Sequence, residues 1–348
     1  MVNFYKNKNI IITGHTGFKG SWLTLMLILL GGNVFGYSLK PKKLSLFNCL
    51  KLNEKLSENK FSDIRNYNKL EKFIINSKPD IIFHLAAQPI VSVGYLKPLY
   101  TWNVNVDGTL NLLKAADKLK KKCSVVIITT DKVYKDSGKK KYSEDSELEG
   151  KDPYSLSKVA VENLTDSWRK LSNNKKIKIT VARAGNVIGG GDWSKDRLIP
   201  DLVKNIVNKK ITYVRRPESI RPWQYVLKVL EGYMILAKKN YLSKSNKYDC
   251  AYNFGPKVSE CKKVRIVVGE FTKNWKTKIA YKSNIKKFQE TDYLFLNSKK
   301  AKIELNWFSL FSLKETIKKT CDWYKIFYFD KKNIYKYSVK EIKDCLKL

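Results

Sequence analysis

Three short stretches carry the residues best suited to chemistry: Gly14-x-x-Gly17-x-x-Gly20, Thr129-Thr130-Asp131-Lys132 and Tyr154-x-x-x-Lys158. Glycines set between an apolar strand and a helix let the backbone turn tightly and approach a phosphate, which the free N–H groups and dipole of a helix N-terminus favour. A tyrosine titrates near pH 10 in water, so a tyrosine base at neutral pH needs help from a neighbouring cation. Tyr154 and Lys158 stand four apart, hence on one helix face, where the ammonium can stabilise a phenolate and reach a cofactor ribose. Thr130, Asp131 and Lys132 place a hydroxyl, a carboxyl and an amine where an apolar strand gives out. Oxidation of an alcohol needs only the first and third stretches. The middle one points to a further step on the oxidised intermediate.

Those groups need strands that end at one edge. Asn9-Ile10-Ile11-Ile12-Thr13 reads as a buried strand, followed by the glycine loop and a helix through Leu30 that Gly31-Gly32 ends. Residues 33–38, 80–85, 124–130 and 177–182 read as further strands, with helices over 107–120 and 155–170. Strands apolar on both faces, alternating with helices, predict an α/β fold with a Rossmann-type doubly wound parallel sheet. After Arg183 the rhythm breaks at Gly189-Gly190-Gly191, Pro200, Pro217, Pro222 and Pro256, which predicts a smaller C-terminal α/β substrate-binding domain. The expected division is a nucleotide-binding domain over 1–183 with a later return around 223–250, then a mainly substrate-binding domain over 184–330. A basic tail over 331–348 is expected to form an accessory helix.

Composition narrows the partners. The longest dense apolar run, Trp22 to Leu30, is too short for a membrane span of about 20 residues, and the N-terminus shows no secretory signal pattern. Scattered cysteines without C-x-x-C, and only two histidines (His15 and His84), argue against a zinc site or disulfide framework and for a reducing cytoplasm. The net charge of +36 would attract polyanions, but only eight of the 68 basic residues are arginine, and the lysines are spread in doublets along the whole chain. A lysine-rich solvated surface accounts for this, and it still draws in anionic sugar nucleotides. The second strand ends without the acid that normally holds an adenosine ribose, while Lys40, Lys42 and Lys43 follow, so this site leaves NAD and NADP both open.

With these residues in view, the chain resembles the extended short-chain dehydrogenase/reductase family, and within it the nucleotide-sugar 4,6-dehydratases, nearest those acting on CDP-glucose. The resemblance spans roughly residues 8–325 and is carried by GHTGFKGSWL (14–23), HLAAQPIV (84–91), TTDKVY (129–134), DPYSLSK (152–158), RAGNVIGGGDWSKDRLIPDLV (183–203), IRPWQYVL (220–227), YNFGP (252–256) and ETDYLFLNSKKAKIELNW (290–307). It implies NAD held by Gly14, Thr16, Gly17, Phe18, Lys19, Gly20, Asp63, Ile64, Leu85, Ala86, Ala87, Tyr154 and Lys158. It implies a lyase working on deoxysugar precursors such as those of lipopolysaccharide O-antigen. In that scheme Tyr154 takes the 4-hydroxyl proton, Thr130 hydrogen-bonds the same oxygen, Asp131 protonates the departing 6-hydroxyl, and Lys132 removes the carbon-5 proton or stabilises the enolate. Asn105, Asn186, Arg197 and Arg221 are implied to grip the nucleotide sugar, the guanidinium forks matching pyrophosphate oxygens. A homodimer or homotetramer, pairing through the helices over 107–120 and 155–170, is implied as well.

Other assignments compete. Arg183 reads equally well as an ion-pair partner, and Trp193 and Trp223 as core aromatics. Ser92, Gly94, Tyr225, Lys228 and Asn297 depart from the family pattern, which bears on base and sugar specificity. A 4-epimerase would use the Tyr-Lys pair but has no use for Asp131 and Lys132. A non-catalytic polyanion binder would need none of these groups.

Overall fold

The computed structural model describes residues 1–138, 141–214, 216–277, 281–283, 293–330 and 333–348. Glu290, Thr291 and Asp292, which open the last of the motif stretches, and Lys331, which opens the tail, lie outside the described residues.

Seven strands form the central sheet: β1 (Asn9–Thr13), β2 (Asn33–Ser38), β3 (Glu58–Phe61), β4 (Ile81–His84), β5 (Cys123–Ile128), β6 (Ile177–Ala184) and β7 (Ala251–Phe254). Their order is β3-β2-β1-β4-β5-β6-β7, and every pairing is parallel. The order reverses between β1 and β4, so the strand ends there open a crevice. Alternate side chains of one strand feed two cores. Ile10 and Ile12 pack with Trp22, Met26 and Leu230, while Ile11 packs with Leu70, Leu112 and Val161. A strand buried on both faces must read as an unbroken apolar run, as β1 does.

Helices α1 (Phe18–Leu29), α2 (Tyr67–Ser77), α3 (Gly108–Asp117) and α4 (Pro153–Leu171) alternate with these strands. The helix expected over 107–120 begins instead in a π turn, Asn103–Asp107, and ends at Asp117. Gly108 lets Ile64 press onto the backbone there, since a Cβ would stand 2.7 Å from Ile64 Cγ2.

Beyond β6 come α5 (Leu198–Val207) and three short two-stranded pairings: Val187–Ile188 with Gln224–Tyr225, Ile220–Pro222 with Cys261–Lys263, and Thr212–Val214 with Tyr281–Ser283. Helix α6 (Val226–Leu242) returns to the sheet with β7. Helix α7 (Leu313–Lys325) precedes the tail helix α8 (Ile334–Leu346), which is tied inward where Tyr225 Oη donates to Glu341 (2.8 Å) and Trp323 Nε1 donates to Ser338 (2.9 Å). No helix among the described residues is long and apolar enough to cross a membrane.

Candidate active site

The C-terminal ends of β1, β4, β5 and β6 open on one cleft of about 700 Å³. At its floor, β1 runs into Gly14, whose φ of +75° belongs to the left-handed region that glycine alone enters without strain. A Cβ on Gly14 would stand 2.7 Å from the Ala86 nitrogen, and one on Gly20 would press on the backbone of Gly14 and His15. Gly17 is the N-cap of α1 and offers no capping side chain, so the first N–H groups of the helix remain for a ligand. Thr16 is anchored to the end of β2, its hydroxyl 2.8 Å from Ser38 Oγ and donating to the Leu39 carbonyl at 3.0 Å. Phe18, Asp63, Ile64, Leu85, Ala86 and Ala87 line the cleft with these glycines. The Asp63 carboxylate is held by Arg65 at 2.8 Å, which lowers its pKa. Lys40 and Lys42 also line the cleft, where an acid would ordinarily meet a ribose. The donor set of free helix N–H groups and a side-chain-free cradle fits a dinucleotide pyrophosphate.

The reacting groups come from β5 and α4. Asp152 caps α4, accepting from the Tyr154 N–H (2.9 Å) and the Ser155 N–H (3.1 Å), and Pro153 starts the first turn. That cap contributes about 1 kcal/mol and sets the turn from which Tyr154 projects. Past the end of β5, Thr130 donates to Asp131 Oδ1 at 3.1 Å, and its hydroxyl lies near enough to the Tyr154 phenol to act on its ionisation. Asp131 is buried, with Oδ2 lacking a hydrogen-bond partner among the described residues, and burial raises its pKa. Burial of this kind favours the neutral carboxyl, the form that can give a proton away. Lys132, Asn186 and Arg221 line the same cleft.

Burial pushes Tyr154 up to about 12, and the opposing effects come from the Thr130 hydroxyl and the Arg197 charge. Lys158 donates to the Ile128 carbonyl at 3.1 Å, and burial lowers its ammonium to about 8. Lys19, from the glycine loop, reaches toward Tyr233 Oη (3.4 Å); withdrawal from water and then the Arg197 and Lys158 charges lower it to about 7.

On the substrate side, Arg197 stands just before the first turn of α5 and reaches Asp192 at 3.3 Å, and Ser92, which also lines the cleft, donates to Asp196 at 2.7 Å. Arg221 is buried and carries a bond to the Ile220 carbonyl (3.0 Å), while its charge bears on Asp131. Asn105 stands apart from the other expected substrate residues. It is buried outside the cleft lining, accepting from the Gln88 N–H (2.8 Å) and donating to the Gln88 carbonyl (3.2 Å) and Ser157 Oγ (2.8 Å). Its amide is consumed in holding the loop after β4 to α4. Arg183 is an ion-pair partner, of Glu162, and Trp223 belongs to the core. One neighbour of the site had no part in the sequence reading: Glu162, whose spacing of four from Lys158 was a usable signal and which accepts from Thr129 of the strand-end tetrad.

A Rossmann sheet with a glycine loop, a Tyr-Lys helix and a long C-terminal extension defines an extended short-chain dehydrogenase/reductase. A model of the family described as GDP-mannose 4,6 dehydratase matches residues 11–320, and the chain belongs to that family. It is 39% identical over 335 residues to a CDP-glucose 4,6-dehydratase of Salmonella typhimurium, covering 93% of this chain and 92% of the relative. It is 27% identical over 343 residues to the human dTDP-D-glucose 4,6-dehydratase, covering 94% and 93%. Among solved structures, a dTDP-glucose 4,6-dehydratase from Streptomyces venezuelae with NAD bound aligns with a TM-score of 0.79 at 20% identity, covering 91% of this chain and 96% of that one. A UDP-glucuronic acid 4-epimerase from Bacillus cereus, solved with UDP-glucuronic acid and NAD, aligns at 0.79 with 23% identity, covering 92% and 99%.

Proposed function

We propose that this chain is a hydro-lyase that converts CDP-glucose to CDP-4-keto-6-deoxyglucose with NAD as an internally recycled cofactor. The observation that carries the reading is the convergence of Tyr154, Thr130 and Asp131 on the cleft that holds the glycine loop. The likeness to the Salmonella enzyme supports the substrate, and the likeness to the NAD-bound Streptomyces dehydratase supports the cofactor.

NAD, held at Gly14, Thr16, Gly17, Phe18, Lys19 and Gly20 and along Asp63, Ile64 and Leu85 to Ala87, would accept hydride from sugar carbon 4 and return it to carbon 6. Tyr154 takes the 4-hydroxyl proton, with Thr130 orienting the same oxygen. The ketone so formed acidifies the carbon-5 proton. Lys132 serves that step, either taking the proton as the neutral amine and giving it back to carbon 5 once hydride has reached carbon 6, or steadying the enolate as the ammonium until carbon 5 is reprotonated. Asp131, whose burial favours the protonated form, gives its proton to the departing 6-hydroxyl. Asn186, Arg197 and Arg221 hold the nucleotide and its pyrophosphate. An epimerase would need no acid at Asp131, so the raised carboxyl favours dehydration. We divide the labour between the sheet, with α6 and β7 returning to it, and the short-stranded region after β6. The tail helix α8 acts as a brace.

We also propose a homodimer. Leu96, Leu99, Trp102 and Leu156 stand exposed around a shallow apolar groove beside the N-terminus of α4, and a second copy would cover them. Leu99→Asp is expected to give a monomer by light scattering; an unchanged mass means pairing through another face. Cysteines without disulfides suit a reducing cytoplasm.

The test of function is direct: the purified protein is incubated with NAD and CDP-, dTDP- or UDP-glucose, and products are identified by mass spectrometry and NMR. A 4-keto-6-deoxy product formed fastest from the cytidine nucleotide is expected. A 4-epimer, or faster turnover of another nucleotide, overturns the reading.

A further inference from the structure

We infer that Glu162 is a positioning residue for the catalytic centre, clamping the Thr129–Asp131 turn against the helix of Tyr154 and serving as the counter-charge of Lys158. The inference rests on the proposed dehydratase reading of the same cleft.

Tyr154, Lys158 and Glu162 recur at a spacing of four along α4, so they line one face of that helix. Thr129, the residue before the Thr130-Asp131 pair, donates its hydroxyl to Glu162 Oε1 at 2.6 Å. One carboxylate therefore ties the strand end that carries the acid to the helix that carries the phenol. Glu162, Thr129 and Arg183 are each only 4% exposed. A carboxylate at that depth stays charged only if it is paired. Arg183 pairs with it, its Nε standing 2.9 Å from both carboxylate oxygens, and is itself steadied by Tyr134 Oη at 2.8 Å and the Glu144 carbonyl at 3.0 Å.

The titratable groups acting with Lys158 come from three elements: Glu162 on α4, Lys19 in the first turn of α1 and His84 on β4. Lys19 and Lys158 repel, and His84 is kept neutral by burial. Glu162 thus provides the carboxylate that favours the charged form of Lys158 against its burial. A purely architectural ion pair would have no reason to hold the Thr129 hydroxyl as well, one helical turn from Lys158.

Steady-state turnover of CDP-glucose by the parent is measured first, which tests the functional reading separately. Thr129→Val then cuts the tie without changing a charge. It is expected to lower kcat about tenfold, with KM within about twofold and the pH profile unmoved. The double variant Glu162→Gln with Arg183→Gln removes the counter-charge without stranding a buried guanidinium. The alkaline limb of its kcat profile is expected to move at least about half a unit toward lower pH. Glu162→Asp, which keeps the charge, is expected to leave that limb in place. Parent-like kcat in Thr129→Val, or an unmoved limb in a double variant shown to be folded by thermal melting, overturns the inference.

Discussion

Asp131 and Tyr154 face one cleft, and the carboxylate charge adds to the burial that pushes the Tyr154 phenol up to about 12. Burial also raises Asp131, so the acid tends to its neutral form, which removes the very charge that hinders the phenolate. The two working states, a protonated Asp131 and a deprotonated Tyr154, therefore favour one another. Tyr154→Phe removes the base and leaves the cleft's shape, so kcat should fall by about 10²–10⁴ while CDP-glucose binding, read by calorimetry, changes little. Parent-like turnover in this variant would remove Tyr154 from the chemistry.

The acid and the base of elimination can be separated from oxidation. With Asp131→Asn, or Lys132→Gln, the sugar should be oxidised at carbon 4 but retain its 6-hydroxyl. Quenched reactions analysed by mass spectrometry would show a keto sugar one oxygen atom heavier than the final product and two hydrogens lighter than the substrate. Normal release of the 6-deoxy product from Lys132→Gln refutes an essential role for that amine.

Gly14→Ala should impair cofactor binding before it impairs folding elsewhere. The added methyl meets the Ala86 nitrogen at 2.7 Å, and φ of +75° adds strain of about 1–3 kcal/mol. The Kd for NAD is expected to rise about tenfold or more, together with a lowered Tm. An unchanged Kd would place the pyrophosphate away from this loop.

Acid stability should depend on His84, which lies between Thr13 (2.8 Å) and Thr109 (3.0 Å) and is lowered to about 3, chiefly by burial. An unfolded histidine binds its proton near pH 6.5, so the unfolded state takes up more protons below that value. Stability contributed by neutral His84 is present above about pH 6.5 and is lost as pH falls toward about 3, by about 1.4 kcal/mol per pH unit. Urea unfolding at stepped pH should show this slope, alongside a contribution from His15, which burial lowers to about 4. His84→Gln should flatten it; an identical slope means the acid sensitivity arises elsewhere.

Local chemistry made parts of the molecule readable in advance. The β1 strand, its glycine turn and α1 follow from an apolar run, residues that tolerate tight backbone, and a helix apolar on every side. The Tyr154–Lys158 pair follows from helical spacing. Harder cases were those whose neighbours are distant. β3 has the sequence ENKF and is largely exposed at the sheet edge, so no apolar pattern announces it; its partner β2 does. Asn105 looks like a ligand residue until Gln88 and Ser157 are found around it.

What the chain's letters determined by themselves was the repertoire: a phosphate cradle, a phenol, a carboxyl and amines, each on a nameable strand end or helix face. Tertiary structure alone decided their ionisation and their company. Glu162 and Arg183 meet across 21 residues, Lys158 turns to the Ile128 carbonyl, and Asp131 is withdrawn from water. Spacing along a helix reports which side chains share a face, but a proton's affinity depends on the solvent excluded and the charges brought near, and both come from packing between distant segments.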